Sequence, residues 1–165
     1  MSPSEILKST AFFTDVLDGA EIDMLAARAR FVAYPEGATP IEEGGPGHSM
    51  FVIVSGEVSV TVHGESEPVA TLGPGDIVGE MSLLTGAERS ATVTALGPVE
   101  VIEISPKALA HVLARSPDLV DRFVEMLSRR QRQLDRIFGG AAWGMIRLGK
   151  GELAHKIRSF FDKAM

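Results

Sequence analysis

Glu80 and Arg89 are the residues whose types and spacing point most clearly to chemistry. They lie on either side of a short apolar turn in residues 79–93, which read GEMSLLTGAERSATV. An arginine presents a planar fork of N–H donors that matches two oxygens of a phosphate. A carboxylate accepts hydrogen bonds and therefore suits sugar hydroxyls rather than a phosphate. The pair predicts a ligand with both hydroxyls and a negative charge; an ordinary salt bridge between the two residues is the alternative.

The residues around this pair offer further hydrogen-bond donors. Gly79 permits an unusual backbone turn after the strand-like segment DIV. Residues 80–84 are predicted to form a single helical turn, whose free N–H groups favour an anion. Ser90 adds a hydroxyl and Ala91 a backbone N–H. The sequence therefore predicts a ribose-phosphate clamp, with the acid for a hydroxyl and the arginine and amides for a phosphate.

The sequence around this clamp changes along the chain from a helical pattern to a strand-like one. The first thirty residues carry apolar residues at helical spacing. From Phe31 onward, short segments rich in valine and isoleucine are separated by turn sequences, and several alternate with period two. These segments are FVAY, MFVIVS, EVSVTVH, PVATL, DIVG, SATVTA and VEVIEIS. Seven or eight such strands predict a β-sandwich or barrel.

Helical patterns return after the last strand. Ser105-Pro106 and Ser116-Pro117-Asp118 are typical helix starts, and the second precedes a long amphipathic segment. We expect one domain over residues 1–138 and a C-terminal amphipathic tail helix over residues 139–165. The predicted apolar faces are Leu119, Phe123, Leu127, Leu134 and Phe138 in the long helix, and Leu153, Ile157, Phe160 and Phe161 in the tail.

Composition argues against several classes of site. The chain has 165 residues and no cysteine, so disulfides and thiolate metal sites are excluded. The four histidines lie far apart in the sequence, which disfavours a metal-dependent enzyme. No Gly-x-Ser-x-Gly elbow is present, and we expect neither catalytic residues nor a cofactor. Without a secretory signal pattern or a long apolar run, the chain is expected to be cytoplasmic.

Charge is distributed unevenly along the chain. The net charge is −6, but residues 128–165 hold nine Lys or Arg against three acids. The remaining residues hold seven basic against nineteen acidic groups. An acidic body repels nucleic acid, so no direct nucleic-acid binding is expected. The basic tail is either a solvated helix face or a surface that contacts a partner, a membrane or the body itself.

The segment GEMSLLTGAERSATV resembles the phosphate-binding cassette of cyclic nucleotide-binding domains. The pattern of the family is matched at Gly79, Glu80, Ser82, Arg89, Ser90 and Ala91. GHSMFVIVSGEVSVTV and LGPGDIVGE resemble the strand pair and the cassette entry of the same family. The resemblance extends over roughly residues 11–138. It implies a mainly β fold, an eight-stranded antiparallel β-roll (jelly-roll barrel) with an N-terminal helical segment and C-terminal B and C helices.

The resemblance also implies roles for individual residues. Glu80 would accept a hydrogen bond from the ribose 2′-OH, while Arg89 and Ser90 would hold the cyclic phosphate. The residues that would contribute backbone contacts are Gly79, Met81, Ser82 and Ala91. Those that would line the ring pocket are Val60, Val69 and Val78, with Arg130 or Leu134 of the long helix nearest to the base. The ligand is expected to be cAMP, with cGMP as the alternative, because Ser90 does not separate the two.

The expected function is that of a regulatory sensor in which ligand binding moves the long C-terminal helix. That helix would then control an attached or partner effector, whose identity stays open, and its far end could pair two chains as a homodimer. Two alternatives remain. The chain is a catabolite-activator-type regulator lacking its DNA-binding helix-turn-helix, or it is a degenerate interaction domain that binds no nucleotide.

Overall fold

The computed structural model of the protein describes residues 1–138 and 149–164, with side chains described as far as Arg129 and Lys163. Residues 139–148, the first part of the predicted tail helix, lie outside this part. The helices are α1 (Pro3–Lys8), α2 (Ala11–Thr14), α3 (Gly19–Ala26), α4 (Glu80–Thr85), α5 (Pro106–Leu113), α6 (Leu119–Phe138) and α7 (Lys150–Ala164). The strands are β1 (Arg30–Tyr34), β2 (Met50–Ser55), β3 (Val58–Thr61), β4 (Ala70–Leu72), β5 (Ile77–Val78), β6 (Thr92–Ala95) and β7 (Val99–Ile104).

The seven described strands form two antiparallel sheets. One has the order β1-β7-β2-β5 and the other the order β4-β3-β6. The fold is thus mainly β with flanking helices, as predicted. An eighth strand is not formed among the described residues: Ile41 makes only an isolated bridge to Val93. Pro40 precedes this bridge and the run EEGGPG follows it, and such residues do not sustain a ladder.

The strand β2 separates two apolar cores. Phe51 and Ile53 point between the sheets, into a cluster that both sheets line. Met50 and Val52 point to the opposite face, into a second and larger cluster formed with the helices. Because both faces of β2 are buried, its sequence MFVIV is continuously apolar rather than alternating.

Side-chain caps fix the starts of the helices that flank the sheets. Ser2 accepts a hydrogen bond from the Glu5 amide at α1, and Asp18 with Glu21 forms a capping box at α3. Ser105 caps α5 through the Ala108 amide, with proline at the first helical position as predicted.

The tail helix α7 packs back onto the body of the protein. It contacts α4, α5 and α6. Leu153, Ile157 and Phe161 are buried in the helical core, as the apolar face of the sequence predicted, and Phe160 is half-buried. In the described ranges, 1–138 and 149–164, no helix is long and apolar enough to cross a membrane.

Candidate functional site

The short helix α4 stands at the centre of the candidate site. It begins after Gly79, whose φ of +85° lies in the left-handed region that glycine adopts without strain. Leu83 and Leu84 are buried and hold α4 in the helical core, with Met81 packed against the same cluster. These three side chains anchor α4 on the side of β2 opposite the cluster between the sheets, because the helical turn follows β5 at the edge of its sheet.

Arg89 is buried at the site, with 6% of its surface exposed. Its Nη2 donates a hydrogen bond to the carbonyl oxygen of Ser49 over 2.7 Å. Its Nε and Nη1 have no hydrogen-bond partner among the described residues. Burial lowers the pKa of Arg89 from its usual value, although the acid Glu103 acts in the opposite direction. The site therefore holds a desolvated guanidinium with two unpaired donors.

Gly79 and Arg89 are in direct contact. A Cβ atom built at Gly79 would lie 2.8 Å from Nη1 of Arg89 and 2.8 Å from the carbonyl oxygen of Ser49. Such separations are shorter than a real Cβ tolerates. The absence of a side chain at Gly79 thus lets the guanidinium lie against the backbone at the start of α4.

The glycine-rich loop of residues 42–49 covers this arrangement from one side. The amide of Gly44 donates to the carbonyl oxygen of Arg89 over 2.8 Å. Nδ1 of His48 lies 3.0 Å from Oγ of Ser82, and that hydroxyl donates to the carbonyl oxygen of Ala87 over 2.7 Å. Sequence reasoning missed the loop, whose signal was the run EEGGPGHS directly before β2.

The other residues predicted for the cassette lie around Arg89. Glu80 is the first residue of α4 and is half-buried. The side chain of Ser82 is buried and bridges two loops, while Ser90 is exposed and Ala91 half-buried. The structure thus brings the predicted cassette residues into one region, between β5 and β6.

The predicted ring-pocket residues are only partly described. Val78 is buried in the cluster between the sheets, and Val60 packs against that cluster. Val69 lies beside Val60, since its amide donates to the Val60 carbonyl over 2.8 Å. Arg130 and Leu134 belong to α6, but the structure does not describe their side chains, nor those of the far end of α6 that is expected to pair two chains.

Residues 1–138 and 149–164 contain no candidate metal-binding site. No group of three or more histidine, aspartate or glutamate side chains in these ranges is arranged to hold an ion. The arrangement that is present, a buried guanidinium beside a glycine turn, suits an anionic ligand rather than a cation.

The relatives found by comparison with known proteins include a transcriptional regulator and an ion channel. A CRP-like cAMP-activated global transcriptional regulator from Mycobacterium tuberculosis is 29% identical over 132 residues, covering 78% of this chain and 58% of the regulator. A cyclic nucleotide-gated potassium channel from Mesorhizobium japonicum is 39% identical over 98 residues, covering 59% of this chain and 26% of the channel. The chain thus spans little more than half of the regulator and about a quarter of the channel.

A solved structure and a family model agree with this comparison. The crystal structure of a cyclic nucleotide-binding domain from Methylobacillus flagellatus matches with a TM-score of 0.66 at 28% identity, covering 88% of this chain and 85% of the other. The family model described as the cyclic nucleotide-binding domain matches residues 31–116, which is more than half of the chain. On the strength of these matches, this chain belongs to the cyclic nucleotide-binding domain family.

Proposed function

We propose that this chain is a regulatory module that binds a cyclic nucleotide, and that its ligand is cAMP. The buried guanidinium of Arg89 carries the proposal, because two of its donors have no partner among the described residues. A desolvated cation with unpaired donors is stabilised by an anion that accepts from them, and a cyclic phosphate offers two such oxygens. The choice of cAMP is supported by the Mycobacterium tuberculosis relative, which is named as cAMP-activated.

The neighbouring residues take the roles that the sequence predicted for them. Arg89 and Ser90 hold the cyclic phosphate, together with backbone groups of Gly79, Met81, Ser82 and Ala91. Glu80 accepts from the ribose 2′-OH, which its half-buried position at the start of α4 supports. The residues that we propose for the ring and base are Val60, Val69, Val78, Arg130 and Leu134.

The module acts without catalysis, by a shift between conformations. The ligand stabilises the conformation that it binds more tightly. It can shift the equilibrium between the two conformations only by the difference between its affinities for them. Helix α6, which follows the roll, carries the change to an effector. The relatives favour a transcription regulator, a channel or a protein kinase regulatory subunit as the complete protein.

Isothermal titration with cAMP and with cGMP at one salt concentration tests the proposal. We expect the wild-type chain to bind cAMP in the micromolar range or tighter, and cGMP more weakly. Arg89→Ala is expected to lose at least a hundredfold in affinity, about 3 kcal/mol, because it removes a charged contact to the phosphate.

Arg115→Ala is the matched control for this titration. Arg115 is an exposed arginine that lies outside the cassette, so its removal should leave affinity unchanged. Folded wild-type protein that binds neither nucleotide would favour the alternative of a degenerate interaction domain. Parental affinity in Arg89→Ala would refute the phosphate assignment.

A further inference from the structure

Helix α7 contacts the cassette at the end of α4. Gly86, the C-terminal cap of α4, has a φ of +73°. A Cβ built there would lie 2.5 Å from Cδ1 and 2.8 Å from Cε1 of Phe160. The aromatic ring of the tail helix therefore lies directly on the backbone of the cassette, at a position where only glycine leaves room for it.

Phe160 also contacts the loop that covers Arg89. Its ring meets that of His48 edge-to-face, with the ring centroids 5.2 Å apart. Because the Ser82 hydroxyl donates to the Ala87 carbonyl, Nδ1 of His48 is the donor to Oγ of Ser82. The residue after His48 is Ser49, whose carbonyl oxygen holds the guanidinium of Arg89. One side chain of α7 thus touches both segments that shape the proposed phosphate site.

The rest of α7 is attached to other elements. Ile157 is fully buried in the helical core. Lys150 pairs with Glu125 at 2.8 Å, and Arg158 pairs with Asp121 at 3.0 Å, both on α6. A movement of α6 that carries these contacts would therefore displace Phe160 from Gly86 and His48.

We infer that Phe160 is a positioning residue through which docking of α7 and nucleotide binding at the cassette favour each other. The inference rests on the proposed function for the nucleotide itself. Docked α7 restrains residues 82–89 and His48 in the arrangement that aligns Arg89 with Gly79. A site that is already ordered loses less conformational entropy when ligand binds, so docking raises affinity. By linkage, the nucleotide strengthens docking of α7 by the same factor.

Nucleotide titration of Phe160→Ala and Phe160→Leu in the full chain measures the coupling. We expect Phe160→Ala to bind cAMP about tenfold more weakly than the wild type, within the usual range of coupling between sites. Phe160→Leu keeps an apolar side chain on Gly86 and should recover most of this loss. Asp162→Ala is the control, because Asp162 is an exposed residue of α7 that takes no part in the contacts described above.

Amide hydrogen exchange of the nucleotide-free proteins gives a second readout that needs no ligand. The reporters are the amides of Gly86, bonded to the Ser82 carbonyl at 3.0 Å, and Ala87, bonded to Oγ1 of Thr85 at 3.2 Å. Both should exchange faster in Phe160→Ala and at the parental rate in Asp162→Ala. Parental exchange in Phe160→Ala overturns the inference whatever the nucleotide result. Faster exchange in that variant, together with a wild type that binds no nucleotide, supports the mechanical link and rejects the proposed function.

Discussion

Gly79 shows how closely a single residue constrains the candidate site. Its positive φ alone would make alanine costly there, by about 1–2 kcal/mol. A Cβ would in addition lie 2.8 Å from both Nη1 of Arg89 and the carbonyl oxygen of Ser49. We expect Gly79→Ala to lower the free energy of unfolding by more than the backbone strain and to weaken cAMP binding at least tenfold. Urea denaturation and calorimetric titration measure the two effects.

Gly75 provides a matched control for this substitution. Its φ of +91° imposes the same backbone strain, but a Cβ built there would meet no atom within 4 Å. Gly75→Ala should therefore lower stability by about 1–2 kcal/mol and leave nucleotide affinity unchanged. Equal affinities for the two variants would mean that the contact between Gly79 and Arg89 has no part in binding.

At the scale of residues, the sequence indicates candidates for the proposed site but not the contacts that they make. Glycine, acid, arginine and small residues lie within one short segment, so their types and order can be read directly. The carbonyl that holds Arg89 belongs to Ser49, forty positions earlier in the chain. Any residue type supplies a backbone carbonyl, and the sequence therefore carries no signal for this contact.

At the scale of elements, an ion pair between the half-buried Arg122 and the buried Glu21 joins α3 to α6. Arg122 donates to both carboxylate oxygens of Glu21, at 3.0 and 2.9 Å, and also to the Val16 carbonyl. Hydrogen bonding from Arg122, with further bonds from Ser116 and the Asp18 amide, lowers the pKa of Glu21 from 4.5 to about 2, although burial opposes the shift. The carboxylate thus fixes the start of α6 to the N-terminal helices.

The lowered pKa of Glu21 makes part of the stability depend on pH. A carboxyl whose pKa is depressed on folding contributes stability above its unfolded pKa, and this is lost as pH falls through the folded value. A shift from 4.5 to about 2 corresponds to roughly 3 kcal/mol. Glu21→Gln should therefore be less stable than the wild type at pH 7. The difference should narrow between about pH 4.5 and 2, as followed by urea denaturation.

Asp23 on the same helix provides the comparison for this measurement. Its contacts with Ser4 and Lys8 are exposed, so Asp23→Asn should change stability much less than Glu21→Gln. A gap between wild type and Glu21→Gln that stays constant from pH 7 to pH 2 would contradict the assignment of the stabilisation to the charged carboxylate.

The helices and strands themselves were largely predictable, whereas their mutual contacts were not. Valine-rich alternation identified the strands, and Ser105-Pro106 identified the start of α5, because these signals are local. The pairing of Glu21 with Arg122 joins residues 101 positions apart. The contact of Phe160 with Gly86 likewise depends on how α7 packs against α4, which is distant in the sequence. The apolar face of α7 alone does not predict this packing.

For the whole molecule, the proposed binding site lowers the stability of the ligand-free fold. Arg89 is buried, and Nε and Nη1 of its guanidinium have no partner in the described ranges. Burial of a charge with incomplete hydrogen bonding is unfavourable, and an apolar residue of similar size is often neutral or stabilising in its place. Stability and ligand binding should therefore respond in opposite directions when Arg89 is made apolar.

Arg89→Met tests this opposition by thermal and urea denaturation with and without cAMP. Without ligand, the free energy of unfolding of the variant should equal that of the wild type or exceed it by up to about 2 kcal/mol. With cAMP at a hundredfold excess over Kd, the wild type should gain about 2.7 kcal/mol and the variant nothing, because only the wild type binds. Ligand-free Arg89→Met that is less stable than the wild type by about 2 kcal/mol or more would show that Arg89 supports the fold itself. Its burial would then need no phosphate to explain it.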